Sequence, residues 1–346
     1  MSVEDISVKR AEVVSTAVAP PSPAAATRTR RRRWNAEASA LPVTWLIAIV
    51  VFSLLRPDTF FTRANLTSVL SSQAVLLVLA LALLVPLTIG DLDVSVGSVV
   101  GLSAMITALL NVNHAVNPVL AALIAVVASA SVGLFNGLIA TKLKVDLLVV
   151  TLGSGSLVAG LTAWISNQTT ITGASPGLVK AVVAYHVLGV SPEFYYGIAV
   201  AIVMFYLLRY TPLGRKMLIV GQAREVATLT GINVPAVRVL GLVMCSALAG
   251  VAGVLYVGTS GGAAPTGGTE LLLPAYAAAF LGATTIMPGR FNAFGTIIAV
   301  YFLVTGITGL QLLGAQTFVQ QLFYGGALIV AVSVSVLVRS RRRQRV

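Results

Sequence analysis

The sequence predicts an all-α, polytopic membrane protein of about ten transmembrane helices, and three observations carry that prediction. Of its 346 residues 57% are hydrophobic and only 10% are charged, against the ~25% charged of an ordinary soluble domain. No solvated surface can be assembled from such a chain, which excludes a soluble enzyme. The apolar residues fall in continuous runs close to the ~20 residues that cross a bilayer as helix, and not in the alternating ~10-residue pieces of a membrane barrel. The net charge of +12 comes from basic residues clustered between these runs, where membrane orientation places them. The charge is therefore read as topology, and nucleic acid is excluded as a partner.

Residues 1–40 are rich in Ala, Pro, Ser, Thr and Arg, with Arg30, Arg31, Arg32 and Arg33 just ahead of the first apolar run. They are expected to form a disordered basic cytoplasmic tail. A transmembrane domain over 41–338 and a second basic tail over 339–346 complete the chain. No small-residue cleavage site follows residue 55, so the first run is a span and not a secretory signal. Spans are expected near 43–55, 68–89, 94–110, 118–140 and 147–166, then 194–208, 237–257, 271–286, 293–310 and 318–338. With a cytoplasmic N-terminus, this arrangement puts 20 of the 23 Lys and Arg on the inner side, leaving Arg56, Arg63 and Lys180 outside. So one-sided a split supports the span count and predicts that both termini are cytoplasmic.

Small residues recur at helix-packing spacing in Gly97 and Gly101, and again in Gly133 and Gly137. Such pairs let backbones approach closely where lipid gives no hydrophobic drive. The segment from Gly90 to Ser98 follows Pro86, which is expected to interrupt the second span. Its Asp and Ser side chains suit the capping of a helix beginning near Val94. The same groups would serve a broken helix end beside a translocation path. Asp91, Asp93, Ser95, Asn136, Thr151 and Ser154 are the candidate lining of that path, since polar groups at membrane depth are costly. A capped turn and interhelical hydrogen bonds account for them equally.

The chain has no GxxxxGK[ST] loop to cradle a nucleotide, so no cofactor is expected on it and ATP is not bound by the chain itself. Cys245 is the single cysteine and lies in an apolar run, while His114 and His186 lie in separate polar loops. No disulfide, metal site or catalytic constellation is expected from them. The stretch from Arg209 to Pro235 is the longest inner loop and the most informative. In it Thr211-Pro212-Leu213-Gly214-Arg215 reads as a turn, and Gln222 to Thr230 as a short helix with Glu225 in its first half. Gly231 stands where a left-handed cap would end that helix. Nine residues make a rod of roughly 13 Å, too short to span and suited either to docking in a partner's groove or to connecting two spans.

Four blocks, covering the chain from about residue 65 to 335, resemble the permease subunits of bacterial ABC importers for ribose and related monosaccharides. Gly90-Asp91-Leu92-Asp93-Val94-Ser95-Val96-Gly97-Ser98 is similar to the family's GxDLSVGS, with Asp93 where that pattern usually has Ser. Gly133-Leu134-Phe135-Asn136-Gly137 and Val149-Val150-Thr151-Leu152-Gly153 resemble its NG and TLG elements. Thr211 to Arg215, Glu225-Val226-Ala227 and Gly231-Ile232-Asn233 are close to TxxGR, EAA and GIN, with Val226 replacing an Ala. Phe280 to Thr285 with Gly295-Thr296 stands where the family more often shows GGTS and GT.

The resemblance implies an ABC importer permease fold in the bacterial cytoplasmic membrane, forming a pore as a dimer with a second copy or a paralogue. It implies a separate ATPase subunit that uses ATP, and an extracytoplasmic sugar-binding protein that delivers the solute. It makes the loop helix a coupling helix, with Gly214, Arg215, Glu225, Ala227, Gly231 and Asn233 as the ATPase-coupling residues. A branched-chain amino-acid or nucleoside permease shares this plan and is the nearest alternative. An ion-coupled secondary transporter would bury charges in mid-span, and a membrane-embedded enzyme would need clustered acids, histidines or a metal motif.

Overall fold

The computed structural model describes residues 36–186 and 189–343, with side chains described from Ser39 to Val336. The basic tail expected over 1–40 therefore lies outside the described residues up to Asn35, and so does the end of the C-terminal tail. From Ala36 onward the chain is a helical bundle. Its first half consists of α1 (Ala36–Leu55), α2 (Arg63–Ser71), α3 (Ala74–Ile89), α4 (Val96–Ala108), α5 (Pro118–Lys142), α6 (Leu147–Ile165) and the single turn α7 (Pro176–Val179). The second half adds α8 (Pro192–Tyr210), α9 (Pro212–Gln222), α10 (Arg224–Leu229), α11 (Val234–Ser260), α12 (Leu272–Gly282), α13 (Ala293–Leu312) and α14 (Thr317–Arg343). A two-residue antiparallel pair, Ile171–Thr172 with Gly262–Ala263, is the sole β-structure among the described residues.

Among the described residues eight helical segments are long and apolar enough to cross a membrane, and two shorter apolar helices are Ser39–Leu55 and Thr269–Gly282. These ten follow the order of the ten apolar runs, the two shorter ones standing at the first and eighth places. The chain is thus an all-α, polytopic membrane protein. Large apolar side chains such as Leu123, Val127, Leu157, Trp164, Ile202 and Ile329 stand exposed on the outer helices, the surface that lipid covers.

Helix α3 is apolar on every side because protein surrounds it on every side. From Ala74 to Ile89 only Thr88 is not buried, with α8, α9, α11, α12 and α13 packed around it. Helix α11 crosses α3, α4 and α5, and small residues set how closely. A Cβ on Gly133 of α5 would lie 2.4 Å from the Leu242 carbonyl oxygen, and one on Gly137 would lie 2.9 Å from Val239 Cα. The expected packing pairs are therefore true contact points, as are Gly97 and Gly101 against the chain at Gly268. Polar groups inside the bundle bond between helices: Ser103 Oγ donates to the Gly250 carbonyl at 2.7 Å, and Trp45 Nε1 donates to Thr305 Oγ1 at 2.9 Å.

Candidate site at the break between α3 and α4

Pro86 does not interrupt its span, contrary to the sequence expectation. It leaves one helical hydrogen bond unmade, yet α3 runs on through it to Ile89. What ends the helix is Gly90, whose φ of +81° is open to a residue without Cβ. The Asp91 N–H then folds back to the Pro86 carbonyl at 2.9 Å, satisfying one of the carbonyls that every helix end leaves unpaired. Six residues, Gly90 to Ser95, separate α3 from α4.

Asp91 opens this break, and its carboxylate is buried between two guanidinium groups. Arg238, in the second turn of α11, donates from Nε to Oδ2 at 2.8 Å and from Nη2 to Oδ1 at 2.9 Å. Arg224, the first residue of α10, donates from Nη2 to Oδ1 at 2.6 Å and to the Gly90 carbonyl at 3.4 Å. A carboxylate with 5% of its side chain exposed must be paired to remain charged. Here the consecutive helices α10 and α11, with their arginines 133 and 147 positions further along the chain, supply the partners.

Asp93 turns the other way, into the bundle, and is completely buried. Its Oδ1 accepts from the Ser95 N–H at 3.0 Å and from Ser95 Oγ at 2.5 Å, and Asn136 Nδ2 of α5 donates to the same Ser95 Oγ at 3.0 Å. Tyr276 of α12 donates its hydroxyl to the Asp93 carbonyl at 2.9 Å, and the Val94 N–H reaches Thr151 Oγ1 of α6 at 3.3 Å. Asp93 Oδ2 and Asn136 Oδ1 find no donor among the described residues. Burial pushes the Asp93 carboxyl up to about 6, against the bonds from Ser95 that pull it down and with a further rise from the Asp91 charge.

Of the six residues proposed to line a path, four thus meet in one network: Asp93, Ser95, Asn136 and Thr151. Ser154 lies one turn along α6 and bonds the Thr151 carbonyl at 3.4 Å. Asp91 stands apart from them, held by Arg224 of α10 and Arg238 of α11. The expected capping by Asp and Ser side chains is not found: α4 starts at Val96 with Ser95 as N-cap and no side-chain cap bond, and Asp93 instead accepts the Ser95 N–H two residues on.

The inner loop differs from its sequence reading. Thr211-Pro212-Leu213-Gly214-Arg215 is the start of helix α9, with Thr211 Oγ1 accepting from the Gly214 N–H at 3.1 Å as an N-cap. Proline in the first turn lacks only an N–H that would be unpaired there in any case. Ala223 is extended, so the expected nine-residue rod is a six-residue α10 beginning at Arg224. Within it Ala227 is buried, Glu225 is exposed, and Val226 and Leu229 are 52% and 86% exposed. Gly231 has φ +79°; its N–H bonds the Thr228 carbonyl and the Ile232 N–H bonds Ala227, both at 3.0 Å, the paired bonds of a left-handed cap. Asn233 then caps α11 by accepting from Ala236 N–H at 3.1 Å. Arg215 is exposed, and Gly214 packs on Leu207, where a Cβ would lie 2.3 Å from the carbonyl oxygen.

A cavity of about 580 Å3 opens between the break, the turn joining α5 to α6, and the start of α11, with Asp91, Lys144, Asp146, Arg224 and Arg238 in its walls. Three residues that organise this region escaped the sequence reading. Arg224 and Arg238 entered it only as two of the 20 inner-side Lys and Arg, and Tyr276 did not enter it. The signal available was the depth of Arg238, four residues inside a helical run, where a cation requires a partner.

A family model described as the branched-chain amino acid transport system / permease component matches residues 65–332. Relatives include a ribose import permease protein of Bacillus subtilis, 30% identical over 83% of this chain and 88% of its own length. A D-allose transport system permease protein of Escherichia coli is 28% identical over 84% and 89%. An L-arabinose ABC transporter permease protein of Azospirillum brasilense is 29% identical over 88% and 89%. No solved structure matches the chain. With the family match running from the start of α2 to the middle of α14, across the break and the loop helix, the chain belongs to the branched-chain amino acid transport system permease component family.

Proposed function

We propose that the chain is the non-catalytic pore subunit of an ATP-driven importer that carries a monosaccharide across the bacterial cytoplasmic membrane. The observation that carries this reading is the seating of α10: Ala227 is buried, Val226 and Leu229 point outward, and Arg224 is bonded to the break in the bundle. A short helix that exposes Val226 and Leu229 beside Glu225 fits a groove on a separate ATPase subunit, which would use the ATP. An extracytoplasmic binding protein would deliver the sugar, and a second copy or a paralogue would complete the pore. Ribose, allose and arabinose in the names of the relatives favour a sugar over the amino acids of the family description. The distribution of Lys and Arg supports an orientation with both termini inside.

Reconstitution tests the reading. The chain alone in liposomes should neither hydrolyse ATP nor take up ribose, allose or arabinose. Adding the ATPase and binding protein should give ATP-dependent uptake of at least one of them. Uptake by the chain alone along an ion gradient would replace the proposal with a secondary transporter.

A further inference from the structure

The two arginines on Asp91 are not equivalent, and the difference has a mechanical use. Arg238 is 14% exposed and grips the carboxylate with two nitrogens. It belongs to α11, which is packed along its length against α3, α4 and α5. Arg224 is 45% exposed and holds the carboxylate through one nitrogen. It belongs to α10, a six-residue helix that follows an extended residue, Ala223, and precedes a left-handed glycine, Gly231.

Breaking an ordinary buried ion pair is costly because a charge is left unpaired in a low dielectric. Here that cost is absent. If Arg224 lets go, Arg238 still neutralises Asp91, and the released guanidinium, half in solvent already, is rehydrated. The contact can therefore be made and broken without unfolding the site. Asp91 is also the first side chain of a six-residue segment that is hydrogen-bonded to α5 through Asn136, to α6 through Thr151 and to α12 through Tyr276. Whatever displaces Asp91 acts on three helices within four residues.

We propose that Arg224 is a positioning residue that transmits movement of α10 to the break between α3 and α4 through its releasable bond to Asp91, while Arg238 is the fixed limb of the clamp. The inference rests on the proposed ATPase coupling of α10 and adds to it the residue pair through which the coupling passes. Arg224 lies outside the motif residues assigned to coupling, and its role is toward the bundle and not toward the ATPase.

The test uses the assembled complex of permease, ATPase and binding protein, and reads the ratio of ATP hydrolysis with and without the sugar-loaded binding protein. Arg224→Ala should still co-purify with the ATPase, while the stimulation falls about tenfold, within the range of site-to-site coupling energies. Arg224→Lys, which keeps a cation but only one point of contact, should recover a substantial part of it. Arg224→Ala added to Asp91→Asn should lower the ratio no further than Asp91→Asn does alone, since the link from Arg224 is already cut in that background. Undiminished stimulation in Arg224→Ala overturns the inference, as does an additive double variant. Loss of ATPase co-purification also overturns it, by making Arg224 a docking contact. A wild-type complex that none of the three sugars stimulates removes the proposed function as well, which separates the two failures.

Discussion

Gly221, at the end of α9, rests against the carbonyl oxygen of Thr88 in the last turn of α3, so closely that a Cβ at position 221 would lie 2.0 Å from that oxygen. The loop arm therefore meets the central helix backbone to backbone, one turn from the Asp91 clamp, and the two contacts together fix where α10 is presented.

Gly221→Ala should push α9 off the end of α3, because neither partner is a flexible side chain that can yield. Overpacking of this kind costs typically 1–3 kcal/mol. Since α9 lies at the edge of the bundle and not within it, the expected outcome is a lower midpoint of thermal unfolding in detergent with insertion retained. Sugar-stimulated ATP hydrolysis in the complex should be lost with it. An unchanged unfolding midpoint would show that the arm is not seated on Thr88.

Arg238→Ala leaves Asp91 buried with only its half-exposed partner. Leaving a buried charge with no partner costs about 3–5 kcal/mol, and since Arg224 still holds the carboxylate through one nitrogen this variant should lose part of that amount. Asp91→Ala combined with Arg238→Ala should be more stable than Arg238→Ala alone, because the buried carboxylate left with a single half-exposed partner is gone. Thermal unfolding of the two variants side by side checks the order, and the reverse order would mean that Asp91 does not depend on Arg238.

The reach of the sequence differs between bundle and site. Ten apolar runs were legible because lipid imposes length and composition on each span separately, and the Gly133 and Gly231 roles were legible because each follows from local spacing. That α3 is the interior helix was not legible. A helix facing lipid and one facing protein are equally apolar, so the amphipathic period that marks an inner face in a soluble domain is missing. Pro86 misled for a related reason: the loss of one hydrogen bond is absorbed in a helix packed on all sides, and the glycine four residues later sets its end. The clamp was hidden by distance, since Asp91 and Arg238 stand 147 positions apart in the chain and no local pattern joins them.

Asp93 supplies a pH-dependent prediction. Its carboxyl titrates near 6 in the folded chain, above the ordinary value of 3.8, so the folded state holds this proton more tightly than the unfolded one. Stability from this group is then greatest below about pH 4, falls as the pH rises through the interval from 4 to 6, and stays reduced above it by about 3 kcal/mol. Asp93→Ser keeps an acceptor for Ser95 and removes the Oδ2 oxygen that has no donor. The variant should unfold at a higher temperature than wild type at pH 7.5, and the gain should shrink to about a third at pH 4.5. A gain of equal size at both values would mean that the carboxyl is not the cause.

The loop helix separates conformational need from partner contact at adjacent positions. Gly231 has φ +79° and its N–H is bonded to Thr228, so the position demands a left-handed backbone and a donor. Asparagine tolerates that region and keeps the donor. Valine keeps the donor but is strained there by roughly 1–2 kcal/mol, and proline can meet neither demand. Glu225, by contrast, is exposed in the first turn of α10, near the positive end of the helix, and is free to meet basic groups of a partner. Gly231→Asn should therefore retain most of the sugar-stimulated ATP hydrolysis of the assembled complex, while Gly231→Val lowers it and Gly231→Pro abolishes it. Glu225→Ala should abolish it without any change in the unfolding temperature of the isolated chain. If α10 only connects two spans, all four variants will support wild-type uptake at equal expression, and the coupling role of this loop falls while the bundle stands.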